Sequence, residues 1–411
     1  MTSEILFIII ITIVVLDFFV EQILEYLNAS WFNKPIPEIL KDIYDTEKYK
    51  KQQSYKSENY RFGIISSSFS FILIVLMLVF NGFAYVDTLA GQISENFILK
   101  PLVFFGIILL AMDILSTPFS VYDTFVIENK YGFNKTTVKT YILDKIKTYL
   151  LGGTIGAGLF ALILWIYHLD PEYFWLYACL VIIAFSLFMN MFYSTLIVPL
   201  FNKQTPLEDG ELKTKIMEFS KKAGFNISKI FVIDGSKRST KANAYFSGIG
   251  PKKRIVLYDT LINEMTNDEI LAVLAHEIGH YKHKHIYWSM IAGIIEIGIM
   301  FYIFGLFASS DMLSQALGLE KASFHIALIA FSIIYSPISS AFAVVSSIFS
   351  RKAEYQADNF ASKHGLSNEL ISALKKLSSH NMSNLTPHPW VVFMTYSHPP
   401  VFNRIKALMK H

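Results

Sequence analysis

Long apolar runs, broken by short charged loops, set the plan of this chain. Crossing a bilayer takes ~20 apolar residues, and runs of that order fall at about 5–27, 62–86, 101–119, 148–167, 174–200, 286–307 and 324–349. The third is short and contains Pro118. Between the fifth and sixth runs the period changes. "LEDGELKTKIMEFSKKAGF" (207–225) has helical spacing and a stop at Gly224. "KIFVID" (229–234) and "KRIVLYD" (253–259) are β-rich, with "NAYFSG" (243–248) between them. "TNDEILAVLAHEIGHYKHKH" (266–285) opens with Thr266 and has Glu269 three residues later, the capping-box spacing of a helix start.

The predicted fold is therefore mostly α: a polytopic membrane protein with seven transmembrane helices around an intramembrane cavity, plus a small α/β module. The pattern divides the chain into residues 1–200 (spans one to five and their loops), 201–285 (the α/β insert), 286–349 (spans six and seven) and 350–411 (a second polar segment).

Composition agrees with the spans. Hydrophobic residues make up 53% and charged residues 17%, whereas soluble domains are about a quarter charged. A net charge of +3 is too small to argue for a nucleic-acid partner; membrane lipids are the partners that the spans imply. Cys179 is the only cysteine, so no intramolecular disulfide forms.

The placement of charge gives an orientation. Lys34, Lys41, Lys48, Lys50, Lys51, Lys56 and Arg61 lie between spans one and two, and Lys130, Lys135, Lys139, Lys145 and Lys147 between three and four. Loops 87–98 and 168–173 carry no Lys or Arg, and 308–323 carries only Lys321. By the positive-inside rule the N-terminus is expected outside or in a lumen and the C-terminus in the cytoplasm. The membrane would be the endoplasmic reticulum in a eukaryote or the inner membrane in a bacterium. Asp17, Glu21 and Glu25 stripe one face of the first span, with Asp113 in the third and Glu296 in the sixth. Such groups face protein or water rather than lipid, which fits an enzyme chamber and equally a transporter or channel.

The chemistry lies in "LAHEIGHYKHKH" (274–285). His276 and His280 are four apart, so on a helix both imidazoles reach one metal, and Glu277 beside them suits a general base. Gly279 lets another backbone approach this helix closely. If the helix continued, His283 would sit ~10 Å beyond His276 and His285 on the opposite face, so neither is expected to bind. A catalytic zinc takes three protein ligands and keeps one position open. In "RKAEYQADNFA" (351–361), Glu354 and Asp358 share a helix face; one can ligate while the other accepts an N–H from a liganding histidine.

Together, "LAHEIGHYKHKH" and "RKAEYQADNFA" resemble the integral-membrane CAAX prenyl endopeptidase family of zinc metalloproteases. "IENKYGFNKTT" (127–137), "PLFNKQTPLEDGELK" (199–213), "NAYFSG" and "SHPPVFNRI" (397–405) agree in order. The resemblance implies one zinc ion held by His276, His280 and Glu354, with Glu277 as catalytic base and Asp358 supporting a ligand from behind. It implies substrate contacts at His398 and Asn243, and a peptide or protein substrate prenylated at its C-terminus. His398 is then the candidate donor to the oxyanion. The strand Asn243, Ala244, Tyr245 is expected to offer its edge to the substrate, and Arg404 to anchor the tail by an ion pair. A transporter with a zinc site remains the alternative, although it has no use for Glu277.

Overall fold

The computed structural model describes residues 2–44, 46–225, 229–248 and 254–410; Lys253, in the second predicted strand, lies outside them. The principal helices are α1 (Ser3–Ala29), α2 (Thr46–Val79), α3 (Gly82–Ile93), α4 (Leu99–Tyr122), α5 (Val138–Leu169), α6 (Phe174–Leu196) and α7 (Glu211–Lys222). They continue with α8 (Asn267–Lys282), α9 (His285–Phe307), α10 (Asp311–Ala316), α11 (Phe324–Lys363), α12 (Ser367–His380), α13 (Pro389–Thr395) and α14 (Val401–Leu408). Among the described residues, seven helices are long and apolar enough to cross a membrane: α1, α2, α4, α5, α6, α9 and α11.

Four spans depart from the hydropathy boundaries; the fourth span, expected from residue 148, already begins at Val138. The second was expected to reach residue 86, but α2 ends at Val79. Asn81 there takes a left-handed conformation (φ 52°), and the chain re-enters as the separate α3. The third was expected to be short at Pro118, yet the helix runs through it and continues, by a wider turn over Asp123–Glu128, to Tyr131. Packed membrane helices tolerate proline because neighbouring groups satisfy the freed backbone. The seventh does not stop where its hydropathy stops: α11 has 40 residues, roughly 60 Å at 1.5 Å per residue. It carries Glu354 and Asp358 out of the apolar zone on a rigid rod.

Most buried apolar side chains of the spans gather at one end of the bundle, among them Leu6 and Ile10 on α1, Leu78 on α2, Phe104 on α4, Leu164 on α5, Phe174 on α6, Phe304 on α9 and Phe331 on α11; Tyr55, Ile127 and Tyr131 form a separate cluster. Residues early in odd-numbered spans meet residues late in even-numbered ones, as up-and-down connectivity requires. Towards the opposite end, a cavity of about 1190 Å³ opens among α6, α9 and α11. Two of the intramembrane carboxylates turn towards α11: Asp17 accepts from Ser336 Oγ at 2.7 Å and Glu296 from Ser339 Oγ at 3.2 Å. Asp113 pairs with Lys145 at 2.7 Å.

The insert builds a four-stranded sheet of β1 (Gln204–Pro206), β2 (Ile230–Ile233), β3 (Ala244–Ser247) and β4 (Arg254–Tyr258), ordered β1-β2-β4-β3. β2 and β4 are parallel, and the outer pairs are antiparallel. α8 packs on this sheet and on the tail through one core that includes Ile255, Leu257, Ile270, Leu274, Ile278, Leu370 and Leu408. Two of the segments that carried the resemblance tie the insert to the spans. Arg238 forks onto Asp144 at 2.8 and 2.9 Å and also donates to Asn202 Oδ1 and Phe201 O. Lys241 pairs with Glu128 at 2.8 Å.

Candidate metal centre

The capping box forms as the sequence predicts. Thr266 Oγ1 accepts from the Glu269 N–H, and Glu269 Oε2 accepts from the Thr266 N–H at 2.8 Å. Glu269 also accepts from Ser372 Oγ at 2.6 Å and Lys376 Nζ at 2.7 Å, which clamps the start of α8 to α12. Burial alone would raise the Glu269 carboxyl, but these donors hold it below its ordinary value. Further along, α8 crosses α11 at Gly279. A Cβ there would lie 2.9 Å from Ala357 Cα, so only glycine permits this approach. The contact sets His276 and His280, flanking Gly279, against Glu354 and Asp358, flanking Ala357.

Ligand atoms of His276, His280 and Glu354 converge. His276 Nε2 is 3.1 Å from His280 Nε2 and 3.5 Å from Glu354 Oε2, and His280 Nε2 is 3.2 Å from Glu354 Oε1. Tetrahedral metal sites with arms of 2.0–2.2 Å have edges of about 3.3–3.6 Å, close to the nitrogen–nitrogen distance and to the distance from each imidazole to its Glu354 oxygen.

The outer partners fix which nitrogens face inward. His276 Nδ1 is 2.8 Å from Asp358 Oδ1. A carboxylate only accepts, so Nδ1 carries the proton. Arg404 Nη2 also lies 3.3 Å from that nitrogen, but guanidinium only donates, and the shorter contact decides. His280 Nδ1 is 3.0 Å from His285 Nδ1, and His285 Nε2 is 2.8 Å from Gln356 Oε1. With the Gln356 oxygen accepting, the protons run from His280 to His285 to Gln356. Both Nε2 atoms are then lone pairs, aimed at each other across 3.1 Å. That arrangement is repulsive unless a cation lies between them. Glu354 Oε2, fully buried, has no hydrogen-bond partner among the described residues, though Arg404 Nη1 is 3.1 Å away. The donor set thus suits a divalent metal ion.

His285 corrects the expectation from periodicity. Continued helically, it would point away from His276; instead α8 ends at Lys282, Lys284 turns left-handed (φ 60°), and His285 opens α9 folded back on His280. It does not join the ligand group but holds one member of it. His283 caps α8 and stacks on His285 at 5.5 Å between ring centroids.

Arg404 is 9% exposed and forks onto Asp358 at 2.9 and 2.6 Å while reaching Glu354. Burial would lower its pKa, but Asp358, Glu354 and Glu277 raise it above the ordinary value. It therefore links α14 to α11 and braces two carboxylates at once. His398, largely exposed, puts Nε2 3.2 Å from Glu354 Oε1, and Ser397 Oγ is 2.9 Å from its Nδ1. Arg351 holds the loop before it by donating to Tyr396 O at 2.6 Å and Val392 O at 3.0 Å.

Glu277 lines both the 1190 Å³ cavity and a second of about 620 Å³ on the other side. Ala244 also lines both, with Asn243 in the smaller and Tyr245 in the larger. β3 is an edge strand. Its entry is fixed by Asn381, which donates to Ala242 O at 3.3 Å and accepts from Ala242 N at 3.1 Å. Sequence reasoning missed His285, Gln356, Arg351 and Asn381. The motif histidines gave a signal for His285 that an assumed unbroken helix concealed.

Known proteins share this architecture. Residues 25–203 match the CAAX prenyl protease N-terminal model of five membrane helices, and 206–411 match peptidase family M48. A CAAX prenyl protease 1 homolog of Oryza sativa subsp. japonica is 36% identical, covering 91% of this chain and 90% of the relative. CAAX prenyl protease 1 of Saccharomyces cerevisiae is 33% identical, covering 93% and 91%. The crystal structure of S. mikatae Ste24p superposes with a TM-score of 0.91 at 33% identity over 98% of each chain. These matches favour the protease over the transporter: the chain is an integral-membrane metallopeptidase and belongs to the CAAX prenyl proteases of peptidase family M48.

Proposed function

We propose that the chain is a zinc endopeptidase that removes the C-terminal tripeptide from prenylated proteins at the cytoplasmic face of its membrane. The observation that carries this reading is the pair of imidazole lone pairs converging with Glu354 beside the Glu277 carboxylate. His276, His280 and Glu354 would hold the ion, and Asp358 and His285 orient the two rings from behind. When bound, zinc supplies positive charge that polarises the scissile carbonyl and acidifies a water.

The protein does the rest. Glu277 takes a proton from the attacking water and passes it to the leaving amine. His398, exposed beside Glu354, presents Nε2–H towards the developing oxyanion. The free edge of β3 pairs with the substrate backbone as an added strand, with Asn243 holding it in register. The apolar cavity receives the part of the substrate that carries the lipid.

The purified protein, given a farnesylated peptide, should release a tripeptide identifiable by mass. Glu277→Gln should retain the metal and lose about 10²–10⁴ in rate. Near-normal turnover by that variant would remove Glu277 from the mechanism. The orientation is tested separately, with Cys179 replaced by Ser. New cysteines at Lys213 and Lys376 should label only from the cytoplasmic side and one at Gln92 only from the other; opposite sides for Lys213 and Lys376 would contradict the topology.

A further inference from the structure

The two cavities differ in character. The larger is lined mainly by apolar side chains of α6, α9 and α11, the smaller by polar and apolar groups in about equal measure. Since Glu277 and Ala244 line both, a peptide laid along β3 passes from one into the other at the reacting bond. Two basic side chains of the Lys/Arg type line the smaller cavity, Arg404 and Lys56. Arg404 is committed to Asp358 and Glu354.

Lys56 is not committed in this way. Among the described residues it makes no ion pair within 4.0 Å and no hydrogen bond; its nearest named contact is the Tyr55 ring, 5.3 Å from Nζ. Glu128 and Glu25 act on it only through their fields, and Glu128 is already paired with Lys241. α2 is a true wall here. Gln52, one turn before Lys56, donates to Ser383 O at 3.1 Å, and Ser383 and Asn384 line the same cavity. An ammonium partly out of water gains from a counter-ion, so a carboxylate entering the cavity would find a partner in Lys56. Glu277, Glu354 and Arg404 are engaged at the metal side of the cavity, and Lys56 is, among the described residues, the basic side chain of its lining without such a partner.

We propose that Lys56 binds the free α-carboxylate of the substrate's C-terminal residue and so sets the length of peptide removed. This rests on the proposed cleavage of a C-terminal tripeptide. An extended tripeptide is ~10 Å long, and a cavity of about 620 Å³ is of ligand-binding size. A lysine suits the task as a compact charge with three donors.

The test compares a farnesylated peptide ending in a free carboxylate with the same peptide ending in an amide. A charge-assisted contact of this kind should favour the acid by about 10–100-fold in kcat/KM. Lys56→Met should bring the acid-to-amide ratio to about 1, and Lys56→Arg should restore most of the preference. Metal content checks that both variants are folded. In a second measurement, calorimetry on the Glu277→Gln variant should show the tripeptide acid binding about 10–100-fold tighter than its amide. Equal cleavage of acid and amide by the wild type, equal tripeptide binding, or an undiminished preference in Lys56→Met overturns the proposal. Cleavage of neither peptide instead overturns the functional reading on which it rests, and the tripeptide titration still decides the role of Lys56.

Discussion

Gly279→Ala tests whether the approach of α8 to α11 sets the metal geometry. The added Cβ would meet Ala357 Cα at 2.9 Å, Phe360 Cβ at 3.0 Å and Ala357 O at 3.1 Å. Carbon atoms prefer about 3.5–4.0 Å, and two of these neighbours are backbone atoms that cannot rotate aside. The helices must separate by roughly 0.5–1 Å to relieve the contact. That shift falls on the gap between His276, His280 and Glu354, whose atoms lie 3.1 to 3.5 Å apart. Metal sites hold their ligand distances to about ±0.2 Å. Stability changes modestly, because overpacking costs about 1–3 kcal/mol while alanine regains about 1 kcal/mol of helix propensity. Metal binding should suffer more, by about 10–100-fold, the scale seen when supporting groups are displaced. Metal per chain after dialysis against graded chelator, read beside thermal unfolding, separates the two effects. A variant that folds and keeps metal as tightly as the wild type would refute the reasoning.

Further expectations concern the groups around the ion. Glu354→Ala should empty the site, whereas Asp358→Asn should weaken metal binding by about 10–100-fold; metal analysis showing the reverse order would exchange their roles. His285→Ala should lower metal affinity on that same scale, through the freed His280 ring, and an unchanged affinity would make the His280–His285 contact incidental. Glu269, whose carboxyl is held below its ordinary value, should stabilise the fold fully above the unfolded value of about 4.3 and lose that contribution as the pH falls through its folded value. Glu269→Gln should therefore lower the unfolding temperature more at pH 7 than at pH 4, and an equal loss at both would contradict the linkage.

Much of the site was legible in the sequence because its residues stand at helical spacing on two helices. His276 with His280, and Glu354 with Asp358, each repeat every four residues, and their elements form as expected. What escaped lies where helices stop or fail to stop. Periodicity carried α8 through Lys284, whose left-handed backbone ends it and returns His285 to the site. Hydropathy ended the seventh span near residue 349, although "RKAEYQADNFA" continues the same helix and so fixes Glu354 rigidly to the membrane bundle. A break at Asn81 and continuation through Pro118 were hidden similarly, since polarity reports burial and not backbone conformation. Arg351 and Asn381 act through partners at least 41 residues away, and local spacing carries no trace of that.

The central claim is that one zinc ion is held jointly by α8 and α11. Diffraction across the zinc absorption edge, with X-ray absorption on the same purified protein, tests it most directly. The account predicts one ion per chain at the point shared by His276, His280 and Glu354, with two nitrogens at about 2.0–2.1 Å and a carboxylate oxygen at about 2.0–2.2 Å. An active protein whose anomalous peak lies elsewhere, or whose ion is bound by His283 or His285 in place of His280, would contradict it.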